Sequence, residues 1–130
     1  MTKIVISLFT FCAMICSSFI LHMHQTSDTV RHVVVFKYKE GTPQSKIDQV
    51  NASFGELQNK IPGITDFEYG INDSPEGKDQ GFSHVYLLTF EDAEARNTYL
   101  PHPEHKKFGE MLGSLNILED VFVVDYSPKE

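Results

Sequence analysis

The chain has 130 residues, with eleven Lys and Arg against eighteen Asp and Glu and a net charge of −7, and it is long enough for one domain with its own core. Phosphate recognition needs a basic footprint that so acidic a chain lacks, which excludes nucleic acid as a partner. The only two cysteines, Cys12 and Cys16, stand near the N-terminus, so no disulfide framework holds the remainder.

Residues 1–24 differ from the rest. Lys3 is the only charged residue before Asp28, and Ile4–Leu21 is almost continuously apolar. A short basic start before an apolar run reads as a secretory leader. A membrane anchor over residues 4–21 is the alternative, at the lower limit of length for a span. Cys16 also offers a lipid attachment point, although Ile15 stands where a small residue is expected before it. The expected location is therefore secreted or periplasmic, or membrane-anchored by residues 4–21. Without this segment and its one lysine, ten basic residues face eighteen acidic ones.

After a linker over 25–29, Val30–Lys39 alternates with apolar residues on both faces, as in a strand covered on both sides. Thr42 is expected to cap the next helix, with Pro43 in its first position. Ile47, Val50, Phe54, Leu57 and Ile61 recur at steps of three and four and give one apolar stripe, which Pro62-Gly63 ends. Ile64–Asn72 alternates Phe67, Tyr69 and Ile71 against Asp66 and Glu68, a half-exposed edge strand. Asp73–Gly81 is a polar loop rich in turn residues. Phe82–Phe90 is a third strand, with Phe82, His84, Tyr86, Leu88 and Phe90 in phase. A short helix over Glu91–Leu100 meets a proline corner. A second helix follows to Leu115, with Phe108, Met111 and Leu112 inward, and Leu118–Tyr126 is the last strand. Residues 30–127 form the domain, and 128–130 are a tail.

The order β-α-β-β-α-β predicts an α+β, ferredoxin-like domain with both helices on one face of the sheet. The strands nevertheless carry apolar residues on the other face, read as Val33, Val35, Val85, Leu87, Val121 and Val123. A monomer would leave that face in water. Pairing two sheets face to face removes the exposure, so the expected state is a homodimer built as an α+β barrel.

The stretch Tyr99-Leu100-Pro101-His102-Pro103-Glu104-His105 places a phenol and two imidazoles around two prolines. Proline breaks the incoming helix, and Pro103 suits the first position of a new one, with His102 just outside it. His105 then falls in the first turn. A general base must offer a free lone pair near neutral pH, and an imidazole there can do so. Tyr99 can donate a hydrogen bond to a carbonyl that becomes an enolate. His102 and His105 are three apart, but no third or fourth ligand accompanies them, so no metal is expected. No phosphate-cradling glycine loop appears, and no cofactor is expected. Asp125 reads as a strand residue on a partly wet face.

Several segments resemble the stress-responsive A/B barrel (Dabb) family. They are Arg31-His32-Val33-Val34-Val35-Phe36-Lys37, Gly81-Phe82-Ser83-His84, Thr89-Phe90-Glu91-Asp92, the Tyr99-x-x-His102-Pro103-x-His105 corner with Phe108, and Asp120–Tyr126. The resemblance spans about residues 30–127 and implies a dimeric barrel. The family includes stress-linked plant proteins and a plant polyketide cyclase, olivetolic acid cyclase. In that branch a Tyr and a His of the corner act together, with the His as base. The matching positions are Tyr99 and His105, and the strand histidines match His32 and His84. Phe54 falls on the stretch corresponding to the cyclase's pocket helix, which here offers only Val50, Asn51 and Phe54.

Two functions follow. The first is a small, mostly apolar ligand bound between helices and sheet by His32, His84, Phe54 and His102, with proton transfer or aldol-type chemistry by His105 and Tyr99. The alternative is a non-catalytic stress-response or scaffold barrel, whose corner histidines only hold the fold. His32 and His84 sit on antiparallel strands, and with flush ends they would lie at opposite ends of the sheet.

Overall fold

The computed structural model describes residues 28–129, so the leader or anchor over 1–24 and the start of the linker lie outside the described residues. The elements are β1 (Val30–Tyr38), α1 (Gln44–Gly55), α2 (Leu57–Lys60), β2 (Ile64–Ile71), β3 (His84–Phe90), α3 (Ala93–Tyr99), α4 (Pro103–Leu115) and β4 (Leu118–Tyr126). The strands form one antiparallel sheet in the order β2-β3-β1-β4. This is the ferredoxin-like α+β fold. β2 and β4 are the edges. Buried Val34, Phe36, Tyr86 and Leu88 pack from the central strands against Val50, Phe54 and Phe108 of α1 and α4.

Local chemistry accounts for most boundaries and for several departures from the sequence reading. Pro43, not Thr42, occupies the N-cap, with extended ψ of 135° and no side-chain cap. Its carbonyl accepts from the Lys46 N–H at 3.0 Å, while the Thr42 hydroxyl donates to the Lys39 carbonyl at 2.7 Å. The stripe from Ile47 to Ile61 stays buried, but the helix is interrupted at Glu56. Gly55 precedes that break, where a Cβ would lie 3.2 Å from the Phe67 ring. Gly63 has φ +87°, and a Cβ there would meet the Ala95 side chain at 2.5 Å. Only glycine brings the start of β2 so close to α3.

The third strand begins at His84, two residues later than expected. Phe82 lies in a turn, its N–H donating to the Asp79 carbonyl at 2.9 Å, and its ring faces Phe122. The parity of β4 is also the reverse of the expectation. Lys37 pairs with Asp120 but Tyr38 pairs with Leu118, so Glu119 is an extra residue at a bulge. Val33 pairs with Val124 and Val35 with Phe122, which puts Phe122, Val124 and Tyr126 on the face without helices. Val121, Val123 and Asp125 oppose Phe36, Val34 and His32 on the helical face.

The helix-free face therefore carries Val33, Val35, Val85, Leu87, Phe122 and Val124 in adjacent strands. Phe122 is 52% exposed there. A concavity of about 390 Å³ at one end of this face is lined by Val35, Val85, Phe82 and Phe122, with Asn72, Asp79 and Gln80 at its rim.

Candidate functional site

The corner after α3 is assembled from short-range bonds. Asp92 caps α3, accepting from the Ala95 N–H at 2.8 Å. His102 caps α4, its Nδ1 accepting from the Glu104 N–H at 3.2 Å, and Pro103 takes the first helical position. His105 is then the third residue of α4, and its Nδ1 lies 3.0 Å from the Leu100 carbonyl. A carbonyl only accepts, so this nitrogen carries the hydrogen, and in the neutral ring Nε2 keeps its lone pair.

The His105 ring lies 4.2 Å from that of Tyr99, at an interplanar angle of 30°. Tyr99 is fully buried, with the His32 ring at 5.7 Å and Phe90 at 5.0 Å. Among the described residues its hydroxyl is buried without a hydrogen-bond partner. Burial, and then the Asp125 charge, push this phenol above its usual range, so it remains a donor at neutral pH. A buried donor with no acceptor costs about 1–3 kcal/mol, so a fold that keeps one calls for an explanation.

His32 is buried and its Nδ1 lies 2.6 Å from Asp125 Oδ1. The other carboxylate oxygen of Asp125 accepts from Arg96 of α3. Burial alone would raise the Asp125 carboxyl. The bonds from His32 and Arg96 outweigh it and hold the group below its ordinary value of 3.8. Asp125 is thus an ionised acceptor, and His32 donates to it through Nδ1.

The structure brings His32, Tyr99 and His105 together and keeps the other expected residues apart. His84 lies four residues along β3 from Leu88, the partner of His32, at the far end of the strands. There its ring meets Tyr38 at 4.8 Å, its Nδ1 is 2.9 Å from Ser83 Oγ, and burial lowers its pKa. Next to it Tyr86 donates to Asn51 Oδ1 at 2.6 Å, and Tyr38 approaches the Tyr86 hydroxyl at 3.0 Å. His32 and His84 therefore belong to two polar clusters separated by filled core. Phe54 is part of that filling, stacked on Phe108 at 4.6 Å and 2% exposed. The structure does not place it on a wall beside Tyr99. His102 spends its Nδ1 on the helix cap.

Two members of the first cluster escaped the sequence reading. Asp125 reads as a strand residue on a partly wet face, which its 25% exposed side chain matches, but that reading gives it no partner, and Arg96 carries no signal beyond its charge. Asp125 shares parity with Val121 and Val123, so a correct phase for β4 would have placed it opposite His32. Four concavities of the described residues are lined by other segments, and none of these four includes Tyr99 or His105.

Residues 30–128 match the family model of the stress responsive A/B barrel domain. The chain belongs to the Dabb family. Among its Dabb relatives, a stress-response A/B barrel domain-containing protein, HS1, of Arabidopsis thaliana is 33% identical over 82% of this chain and 95% of its own length. Olivetolic acid cyclase of Cannabis sativa is 29% identical over 78% of this chain and 98% of its own. Two solved structures are similar as well. A hydroxynitrile lyase from Passiflora edulis superposes with a TM-score of 0.72 and 29% identity, covering 80% of this chain and 96% of its own. A dimeric ferredoxin-like protein of unknown function from Jannaschia superposes at 0.66 with 28% identity, covering 77% of this chain and 99% of its own. The Dabb fold thus has relatives that are dimeric and relatives that are enzymes.

Proposed function

We propose that this Dabb protein is a homodimeric barrel that binds a small, mostly apolar ligand between helices and sheet and transfers a proton with Tyr99 and His105. The observation that carries the reading is the buried, unpartnered Tyr99 hydroxyl beside an imidazole whose Nε2 is an acceptor. A ligand oxygen supplies the acceptor that the phenol lacks, and charge developing on that oxygen strengthens the bond. Nε2 of His105 takes the proton. Val121 and Val123 support the apolar part of the ligand. They lie on the helical face in line with Asp125, yet each keeps about half its surface exposed. The cyclase and the hydroxynitrile lyase among the relatives belong to reaction classes that use proton transfer. The apolar run over residues 4–21 supports export of the domain, or its anchoring to a membrane by that segment.

A small aromatic hydroxynitrile, mandelonitrile, tests the chemistry, with release of the aldehyde followed by absorbance. The expected result is release above the uncatalysed rate, reduced about 100-fold or more in Tyr99→Phe and in His105→Ala. Tyr99→Phe also removes a buried unsatisfied hydroxyl, so it is expected to melt no lower than the parent and to gain about 1 kcal/mol. A Tyr99→Phe protein that is markedly less stable would show a structural hydroxyl and favour the scaffold reading. A folded variant with undiminished activity would refute the assigned roles.

The dimer is supported by the helix-free apolar face and by the dimeric state named for the Jannaschia relative. Leu87 lies in the middle of that face, opposite Val33. Leu87→Asp puts a charge where the proposed partner sheet would bury it. Sedimentation is expected to show a dimer for the parent and a monomer for this variant. A parent that sediments as a monomer would refute the assembly.

A further inference from the structure

Arg96 is not part of the Tyr99–His105 pair, yet its charge ties the cluster together. It leaves α3 three residues before Tyr99, as a neighbour on the helix surface. Its Nε donates to Asn97 Oδ1 at 2.9 Å, which orients the guanidinium, and a terminal nitrogen donates to Asp125 Oδ2 on β4. The remaining Asp125 oxygen faces His32 Nδ1 at 2.6 Å. Held on one side by Arg96, the carboxylate cannot turn from His32 without breaking a charge-assisted bond. His32 then keeps its hydrogen on Nδ1 and its lone pair on Nε2.

We propose that Arg96 is a positioning residue: through Asp125 it fixes the tautomer and orientation of His32 beside Tyr99. Both imidazoles that contact the Tyr99 ring then have their Nδ1 hydrogen engaged by a protein oxygen, His105 by Leu100 and His32 by Asp125. Each offers Nε2 as an acceptor. One phenol donor with two acceptors suits a ligand hydroxyl, whose oxygen accepts from Tyr99 and whose hydrogen goes to an imidazole. This choice of ligand group rests on the proposed function, whereas the tautomer lock does not.

The test is two-bond ¹⁵N–¹H spectroscopy of the imidazole rings in the full chain at about pH 8, above the ordinary imidazole range. The parent and Arg96→Lys are expected to show His32 as a single Nδ1–H tautomer. In Arg96→Met, which keeps the apolar stem but no charge, an Nε2–H population is expected to appear. A simple brace between α3 and β4 would lower the melting temperature of Arg96→Met and leave the tautomer unchanged, and that result overturns the proposal. Mixed tautomers in the parent overturn it as well. If Arg96→Met does not fold, Arg96→Gln is read in the same way. A tautomer that follows Arg96 in a protein inert toward mandelonitrile upholds this inference and removes the catalytic reading. Activity with a tautomer indifferent to Arg96 does the reverse.

Discussion

Phe54→Ala is expected to lower stability by about 3–5 kcal/mol, the range for deleting a fully packed aromatic ring. At about 4–8 °C per kcal/mol for a domain of this size, the melting temperature should fall by at least about 12 °C. The Phe54 ring meets Phe108 at 4.6 Å, Tyr86 at 5.0 Å, Phe67 at 5.4 Å and Phe36 at 6.3 Å, so it joins both main helices to three strands. Among the described residues it is only 2% exposed, so its deletion leaves a cavity in the packed core. Calorimetry of the purified variant checks this. A loss below about 1 kcal/mol would mean that the ring borders open space, as expected of a residue lining a ligand cavity.

Asp125→Ala is expected to lower stability by about 2 kcal/mol. It strands the His32 Nδ1–H and the Arg96 guanidinium together, and bonds to charged groups contribute about 1.5–3 kcal/mol each. The Asp125 side chain is 25% exposed, so water replaces part of what is lost. The same residue sets an acid limb. Its folded carboxyl titrates below the ordinary 3.8, so at low pH the unfolded chain binds the proton more readily. The stabilisation is complete above 3.8 and disappears as pH falls through the lower folded value. Asp125→Asn should flatten that part of a melting-temperature series taken from about pH 2 to 7. An unchanged acid limb would show that Asp125 is not paired in solution.

The contrast between these two residues shows what patterning can reach. Phe54 was legible as part of an apolar stripe because a helix repeats every 3.6 residues, and Ile47, Val50, Phe54 and Leu57 keep that spacing whatever surrounds them. Its proposed place beside a ligand came from resemblance, and the packed rings around it do not leave it there. Asp125 was illegible because Val121, Phe122, Val123 and Val124 are apolar at both parities. With no alternation to read, the phase of β4 depends on the bulge at Glu119, and that bulge is a property of pairing with β1.

The proline corner was legible in chemistry and in position. Pro103 and His102 take the places that fixed φ and capping dictate, and they leave His105 in the first turn of α4. Its partnership with Tyr99 is also local, since the two are six residues apart across one turn of chain. By contrast, His32 approaches Asp125 from 93 residues away, and Arg96 reaches the same carboxylate from 29.

By itself the sequence determined the order of elements, the ferredoxin-like class, the two-faced apolar sheet and the Tyr–His corner, because each follows from short-range periodicity, turn chemistry or the family pattern. Only the tertiary structure decided that His32 and His84 belong to separate clusters, that Phe54 is core, and that Arg96 and Asp125 join His32 in one bonded cluster. Those facts depend on strand register and on contacts between distant segments, and a single misplaced residue in a strand sends every later side chain to the opposite face.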